Sequence, residues 1–258
     1  MAAGPPGSTI RGGDIIIASL KRHFRPLRPI LYPIWSRLRP ATETPERRTT
    51  PPVDVWRGPT TMPLDVPIRV MTGAEFEAVA ERKPDYYRGR RGYMSAAATA
   101  AQDLIERRGL RTALELGPHL RPLIVGADVM DLVARADLAT DGQVVEHDAT
   151  AVPWPVADKA YDLFVALQVF EHLVGRQQDA FREVRRIARH AVISVPIDWI
   201  MADPTNCHHQ ITRERALSWF APTVPTRVEI GSPAPKQRLI YVFEDLSPGT
   251  TGPVEAAG

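Results

Sequence analysis

"RTALELGPHLRPLIVGADVMDLV", residues 111–133, decides how the chain is read. "TALEL" (112–116) has the apolar content of a buried strand, and "DVMDLV" (128–133) reads as a second. Open α/β sheets bind ligands at the carboxyl ends of their strands, so the turn after the first strand should let backbone approach the ligand. Gly117 meets that need because no side chain blocks the approach. Pro118 stiffens the same turn. Asp131 follows the second strand, where an acid can accept hydrogen bonds from two ribose hydroxyls; Asp128 is its rival. The further glycines that would admit a pyrophosphate are missing, which disfavours a dinucleotide. A cofactor with ribose and no phosphate can do without them.

Outward from this stretch the pattern alternates. "QVVEHD" (143–148), "YDLFVAL" (161–167) and "HAVISVP" (190–196) read as further strands, and "TRVEI" (226–230) and "RLIYVFED" (238–245) as closing ones. "RQQDAFREVRRIAR" (176–189) reads as a helix with Ala180, Phe181, Val184, Ile187 and Ala188 on one face. "TRERALSWF" is a helix capped by Thr212. "TGAEFEAVAER" (72–82) carries a capping box, Thr72 with Glu75 three residues on. "SAAATAAQDLIERRG" (95–109) predicts a helix capped by Ser95 and stopped by Gly109. Short apolar strands among helices predict an α/β fold of Rossmann-like type, a mostly parallel central sheet with helices on both faces.

Two runs are more specific. "LELGP" (114–118) and "VVEHDATAVPWPVADKAYDLFVALQVFEHL" (144–173) stand in order, followed by "EVRRIARHAVISVP" (183–196). Together they resemble the class I S-adenosylmethionine-dependent methyltransferases, notably the type 11, small-molecule branch. The resemblance covers residues 112–196. It implies a methyltransferase fold and S-adenosyl-L-methionine as cofactor. It also implies that Glu115 and Gly117, with Pro118 in the same loop, face the methionine moiety, and that Asp131 holds the ribose. Asp148 and Ala149 would bracket the adenine, and Gln168 would line the cofactor near its reactive methyl. The loop departs from the family in carrying one glycine where most members have two or three.

The acceptor should lie beyond the fourth and fifth strands. "VPIDWIMADPTNCHHQ" (195–210) follows there. His208 or His209 is the candidate base, with Asp198 or Asp203 orienting it. Asp203, Cys207, His208 and His209 match no closed zinc spacing, so no metal is expected. His172 is read as shaping the site, and His119 and His147 as surface or packing residues. "DYYRGRRGY" (85–93) offers either a lid or a solvated basic turn. The expected reaction is methylation of a small molecule at oxygen, on a sugar, natural product or lipid-linked acceptor. The alternative is a non-catalytic, methyltransferase-like binding or scaffold subunit.

Composition sets the remaining bounds. The chain has 258 residues, 44% of them apolar, and a net charge of +2. Residues 1–50 carry nine Lys/Arg against Asp14, Glu43 and Glu46, a surplus of six, so the rest of the chain sums to −4. Nucleic acid is therefore not an expected partner. The expected organisation is a basic, Pro-rich extension and linker (1–69), a methyltransferase domain (70–246) and a tail (247–258). Residues 14–39 mix bulky apolar side chains with arginines and offer a peripheral membrane contact, or simply pack on the body. One cysteine, the absence of a secretory pattern and the absence of a long apolar run make a cytoplasmic protein the default. Nothing in the sequence fixes the oligomeric state.

Overall fold

The structure is a computed structural model and describes residues 67–233 and 235–246. The extension, its 14–39 segment and the tail lie outside the described residues. Among the described residues the order is β1 (Arg69–Val70), α1 (Gly73–Arg82), α2 (Pro84–Tyr87), α3 (Arg91–Arg108), β2 (Ala113–Leu116), β3 (Ile124–Val125), β4 (Asp128–Asp131) and β5 (Val144–Glu146). Then come β6 (Tyr161–Leu167), a 3-10 turn (Phe170–His172), α4 (Gln177–Ile187), β7 (Ala188–Pro196), α5 (Arg213–Phe220), β8 (Arg227–Ser232) and β9 (Arg238–Phe243).

Seven strands form one sheet in the order β5-β4-β2-β6-β7-β9-β8. The first five are parallel, and β9 runs antiparallel to both neighbours. Strand alternation splits the core into two layers. Leu114, Leu116, Phe164, Ala166, Ala191 and Ile193 pack with α4 and α5. Ala113, Leu163, Val165, Val192, Ile240 and Val242 pack with α1 and α3. β9 is buried at all six positions, because it lies between β7 and β8 with side chains in both layers.

The helices obey local rules. Thr72 caps α1: its hydroxyl accepts from the Glu75 N–H (3.3 Å), and the Glu75 carboxylate accepts from the Thr72 N–H (2.8 Å). Arg69 clamps that carboxylate through both terminal nitrogens, at 2.7 and 2.8 Å. Gly109 ends α3 at φ +62, a left-handed stop that favours glycine. Ser95 is not the cap of α3. The helix begins a turn earlier at Arg91, and Ser95 is buried inside it. Gly89, at φ +74, turns the chain just before it, and burial of Tyr93 and Met94 rewards that first turn. The alanines at 97, 98, 100 and 101 are buried where α3 lies on the sheet.

The larger departure is in the crossovers. Parallel strands are usually joined through a helix, yet only β6 and β7 are, by α4. The β2–β4 connection holds just the two-residue β3, which pairs antiparallel with β1. Pro122 sits where the second turn of a crossover helix would need its N–H. Leu120, Leu123 and Ile124 instead pack into the same layer as Phe76 and Val79 of α1. Gly126 is fixed twice over: its φ is +83, and a Cβ there would lie 2.3 Å from the Pro67 carbonyl oxygen.

Candidate active site

The chain winds outward from β2 to β4 and β5, then returns to β6 and winds the other way to β7. A crevice opens at the carboxyl ends of β2 and β6, where that direction reverses. Register lines the strand ends up: Leu116 pairs with Met130 and Ala166, Asp131 with Glu146, and Leu167 with Ser194. Gly117 follows at φ +63, and its N–H donates to the Met130 carbonyl (2.8 Å). A Cβ there would come within 3.2 Å of Val169 Cγ2. The turns after β2 and β6 therefore touch.

The end of the crevice at Gly117 is closed by aromatic side chains. A cavity of about 20 Å³ remains between Tyr86, Tyr87, Tyr93, Leu116, Gly117 and His119. Tyr86 is held between the His119 ring (centroids 3.7 Å apart) and the Arg90 guanidinium (3.9 Å). Tyr87 Oη accepts from the Leu120 N–H (3.3 Å). Lys83 Nζ lies 3.0 Å from His119 Nε2, and burial with that cation pushes the His119 pKa down to about 4. The aromatic run 85–93 is thus a cover over the loop. Arg88 points to solvent, while Arg91 pairs with Glu77. Glu115 lines this cavity, but its carboxylate accepts from the Ile124 N–H (3.2 Å), and burial raises its pKa to about 8. Its visible work is to hold the loop.

Asp131 stands at the end of β4 with its side chain 15% exposed. Its carboxylate accepts from the Leu132 N–H (2.7 Å) and lies 3.8 Å from Arg135. Arg135 also donates to the Pro118 carbonyl (2.5 Å), bridging the two loops. Asp128 is removed as a ribose candidate: it begins β4, at the far end of the strand, where it accepts from Tyr161 Oη (2.8 Å) and the Gln143 N–H (2.8 Å). Asp148 accepts from the N–H and hydroxyl of Thr150 (both 2.8 Å), which lowers its pKa. The Ala149 carbonyl accepts from Trp154 Nε1 (3.1 Å). The chemistry of these groups suits an S-adenosylmethionine-type ligand, but the space of about 20 Å³ under the Tyr86–His119 cover holds no more than a water, so binding requires that cover to move. The turn backbone is bare at Gly117, a carboxylate ends β4, and buried Arg90 Nε and Arg135 Nε have no hydrogen-bond partner.

The other side of the crevice gathers residues from distant segments. Gln168 follows β6 at φ +59; its N–H donates to the Ser194 carbonyl (3.1 Å), and its Oε1 accepts from Arg238 Nε (3.0 Å). The Arg238 guanidinium stacks on Tyr93 and Trp199, each at 4.6 Å. Trp199 stacks in turn on His208 (5.7 Å). Behind His208 lies Glu171, whose Oε1 is 3.6 Å from Nε2. Neither oxygen of Glu171 has a hydrogen-bond partner, and its side chain is fully buried. Burial raises Glu171 to about 8 and lowers His208 to about 4. Both neutral forms are favoured, so their closeness is not an ion pair.

His208 and His209 do not act together. His209 Nδ1 accepts from the Met201 N–H (3.1 Å) and fixes the loop. Neither proposed orienting acid reaches His208. Asp203 caps Thr205 through its N–H (2.9 Å) and hydroxyl (2.7 Å). The Asp198 N–H donates to the Ile211 carbonyl (3.0 Å) at φ +56, with the side chain exposed. Glu171 holds the place given to them. Arg90 lay in the 85–93 run read as a lid or a basic turn, and Glu171 was noticed only as part of the "FEHL" run. Arg238, on β9 far along the chain, was missed by sequence reasoning.

Residues 113–193 match the protein-family model described as "Methyltransferase domain", of type 11. No curated protein matches the chain. Among solved structures, the N-methyltransferase NodS from Bradyrhizobium japonicum, in complex with S-adenosyl-L-homocysteine, is 15% identical over 58% of this chain and 85% of its own, with a TM-score of 0.44. A TehB-like SAM-dependent methyltransferase from Corynebacterium glutamicum is 16% identical over 67% and 98%, with a TM-score of 0.41. A SAM-dependent methyltransferase from Aquifex aeolicus is 12% identical over 54% and 86%, with a TM-score of 0.38. No helix among the described residues is long and apolar enough to cross a membrane.

Proposed function

From the premise that residues 113–193 form a SAM-dependent methyltransferase domain of type 11, we propose that the chain methylates a small molecule at oxygen. The acceptor lies between Tyr93, Trp199 and Arg238, with the cluster around His208 beside its hydroxyl. The observation that carries this reading is neutral His208 with the buried Glu171 carboxyl, which has no hydrogen-bond partner, set 3.6 Å behind it. An oxygen acceptor must lose a proton as it is methylated, and a polar cluster excluded from water is a place for that proton to go. When bound, S-adenosylmethionine would supply an electrophilic methyl on its sulfonium, with the neutral thioether as leaving group.

The chain's own groups do the rest. Asp131 holds the ribose, the Gly117 turn lets backbone approach, and the Tyr86–His119 stack covers the reaction from water. Stacked tryptophan, arginine and tyrosine suit a flat or anionic acceptor. Sugars, natural products and lipid-linked molecules remain the candidate classes. The test is release of S-adenosylhomocysteine with matched hydroxyl and amine acceptors. Turnover with the hydroxyl member, reduced in His208→Ala, supports the reading. Turnover with amines alone, unchanged in that variant, overturns it.

A further inference from the structure

His172 and Glu171 sit on the 3-10 turn after β6, while Cys207 and His208 belong to the loop after β7. Folding brings them together although 35 residues separate His172 from Cys207. Cys207 Sγ lies 3.3 Å from His172 Nδ1 and 3.5 Å from His208 Nδ1. One donor atom from each of the three residues lies within 4.8 Å of the others. We propose that His172, Cys207 and His208 bind one divalent transition-metal ion of zinc type, with Glu171 holding the far nitrogen of His208.

Three observations carry this. The first is spacing. Zinc binds sulfur at about 2.3 Å and imidazole nitrogen at about 2.0–2.1 Å, which in a tetrahedron sets sulfur and nitrogen about 3.6 Å apart. Both observed sulfur–nitrogen distances are close to that. The second is ligand type: a thiol and two imidazoles select zinc or copper and not magnesium or calcium.

The third is the tautomer of His208. Its Nδ1 is 2.8 Å from Asn206 Oδ1. With the proton on Nδ1, that N–H goes to Asn206, and a bare Nε2 faces the Glu171 carboxyl at 3.6 Å, too far for a hydrogen bond between them. Coordination through Nδ1 reverses this. The proton then sits on Nε2 and points at Glu171, and a shift of about 0.5 Å makes the hydrogen bond. A carboxylate behind a metal-bound histidine is how such ligands are held and oriented. Bound there, the ion would supply the positive charge needed to deprotonate Cys207, whose half-buried thiol is otherwise held neutral.

The site ties the acceptor loop to the end of β6, and it stands whether or not the acceptor reading holds. With the ion bound, His208 would be a ligand, and the cation would lower the pKa of an acceptor hydroxyl placed beside it.

The test uses the full chain stripped of metal by a chelator and titrated with Co²⁺, whose thiolate complexes give a charge-transfer band. Cys207 is the single cysteine, so any such band reports this residue. The expected result is saturation at one equivalent, displacement by Zn²⁺, and no band in Cys207→Ser. His172 is exposed, so His172→Ala leaves the fold intact and should weaken Co²⁺ binding at least about tenfold; Glu171→Gln should weaken it about tenfold. No band in folded wild type at millimolar Co²⁺, or unchanged affinity in His172→Ala, overturns the proposal and leaves a thiol hydrogen-bonded to two imidazoles only. Calorimetry with S-adenosylhomocysteine on the same samples reads the cofactor side separately, so the two readings fail independently.

Discussion

On the β2–β4–β5 side of the crevice, the groups proposed to meet the cofactor lie at or just after strand ends within residues 115–149, and strand register lines these ends up. On the β6–β7–β9 side, Tyr93, Glu171, His208 and Arg238 come from a helix, a 3-10 turn, a long loop and an antiparallel strand. The first side works through backbone and exposed or half-exposed polar atoms. The second buries charge-bearing groups with few partners, Glu171 above all. A ligand shared by a whole family needs little more than well-placed strand ends, while chemistry on one acceptor needs side chains drawn from anywhere in the chain.

This contrast predicts different failures on the two sides. The largest effect is expected from His208→Ala, which should reduce turnover by about 10²–10⁴-fold while S-adenosylhomocysteine affinity stays within about threefold. His209→Ala, one residue away, should leave turnover nearly unchanged, because its ring serves the Met201 N–H. Equal losses in both variants would show that the loop matters only as a folded unit. Asp131→Ala should do the opposite of His208→Ala. If Asp131 holds the ribose as proposed, its loss should weaken S-adenosylhomocysteine binding by about 10–100-fold, as read by calorimetry. Unchanged affinity would detach Asp131 from the cofactor.

The same contrast explains what was legible in the sequence. β2, β6 and β7 are largely apolar runs and β4 is a short strand between two acids, so their order, Gly117 just after β2 and Asp131 at the end of β4 follow from local pattern. Thr72 with Glu75, and Gly109 as a helix stop, were equally local. The missing crossover helices were harder to see. Pro122 disfavours one of them, but the pairing of β3 with β1 depends on a contact about 55 residues away in sequence. The neighbourhood of His208 was not legible at all. Polar residues in a loop look alike until folding decides that His209 caps a backbone N–H and His208 faces Glu171. Asp198 and Asp203 were attractive only because they were near in sequence.

Between the two sides stands Gly117, and its replacement should show how tightly they are coupled. Gly117→Ala forces a side chain into φ +63, at about 1–2 kcal/mol. It also sets a Cβ 3.2 Å from Val169 Cγ2, at the start of the turn that carries Glu171. Thermal unfolding should fall accordingly, and both cofactor affinity and turnover should decline. A variant that loses affinity but keeps acceptor turnover at saturating cofactor would mean that the two sides are separable.

The smallest effect is expected furthest from the chemistry, at the cap that holds the cover. Glu75 is clamped by Arg69 and by the Thr72 N–H, and Arg69 above all brings its pKa down to about 2. A carboxylate lowered on folding adds stability that is fully present above its unfolded pKa of about 4.3. That stability is lost as pH falls from there through about 2. Glu75→Gln removes the charge but keeps the shape, and should lower stability at neutral pH by about 1–2 kcal/mol. The difference from wild type should shrink as pH drops through that window, because wild type then loses the same charge. Denaturant melts at neutral and acid pH read this directly. A gap that stays constant down to acid pH would assign the loss to packing of α1 and not to the ion pair. The Tyr86–His119 cover should loosen in either case, since α2 follows α1 with only Lys83 between them.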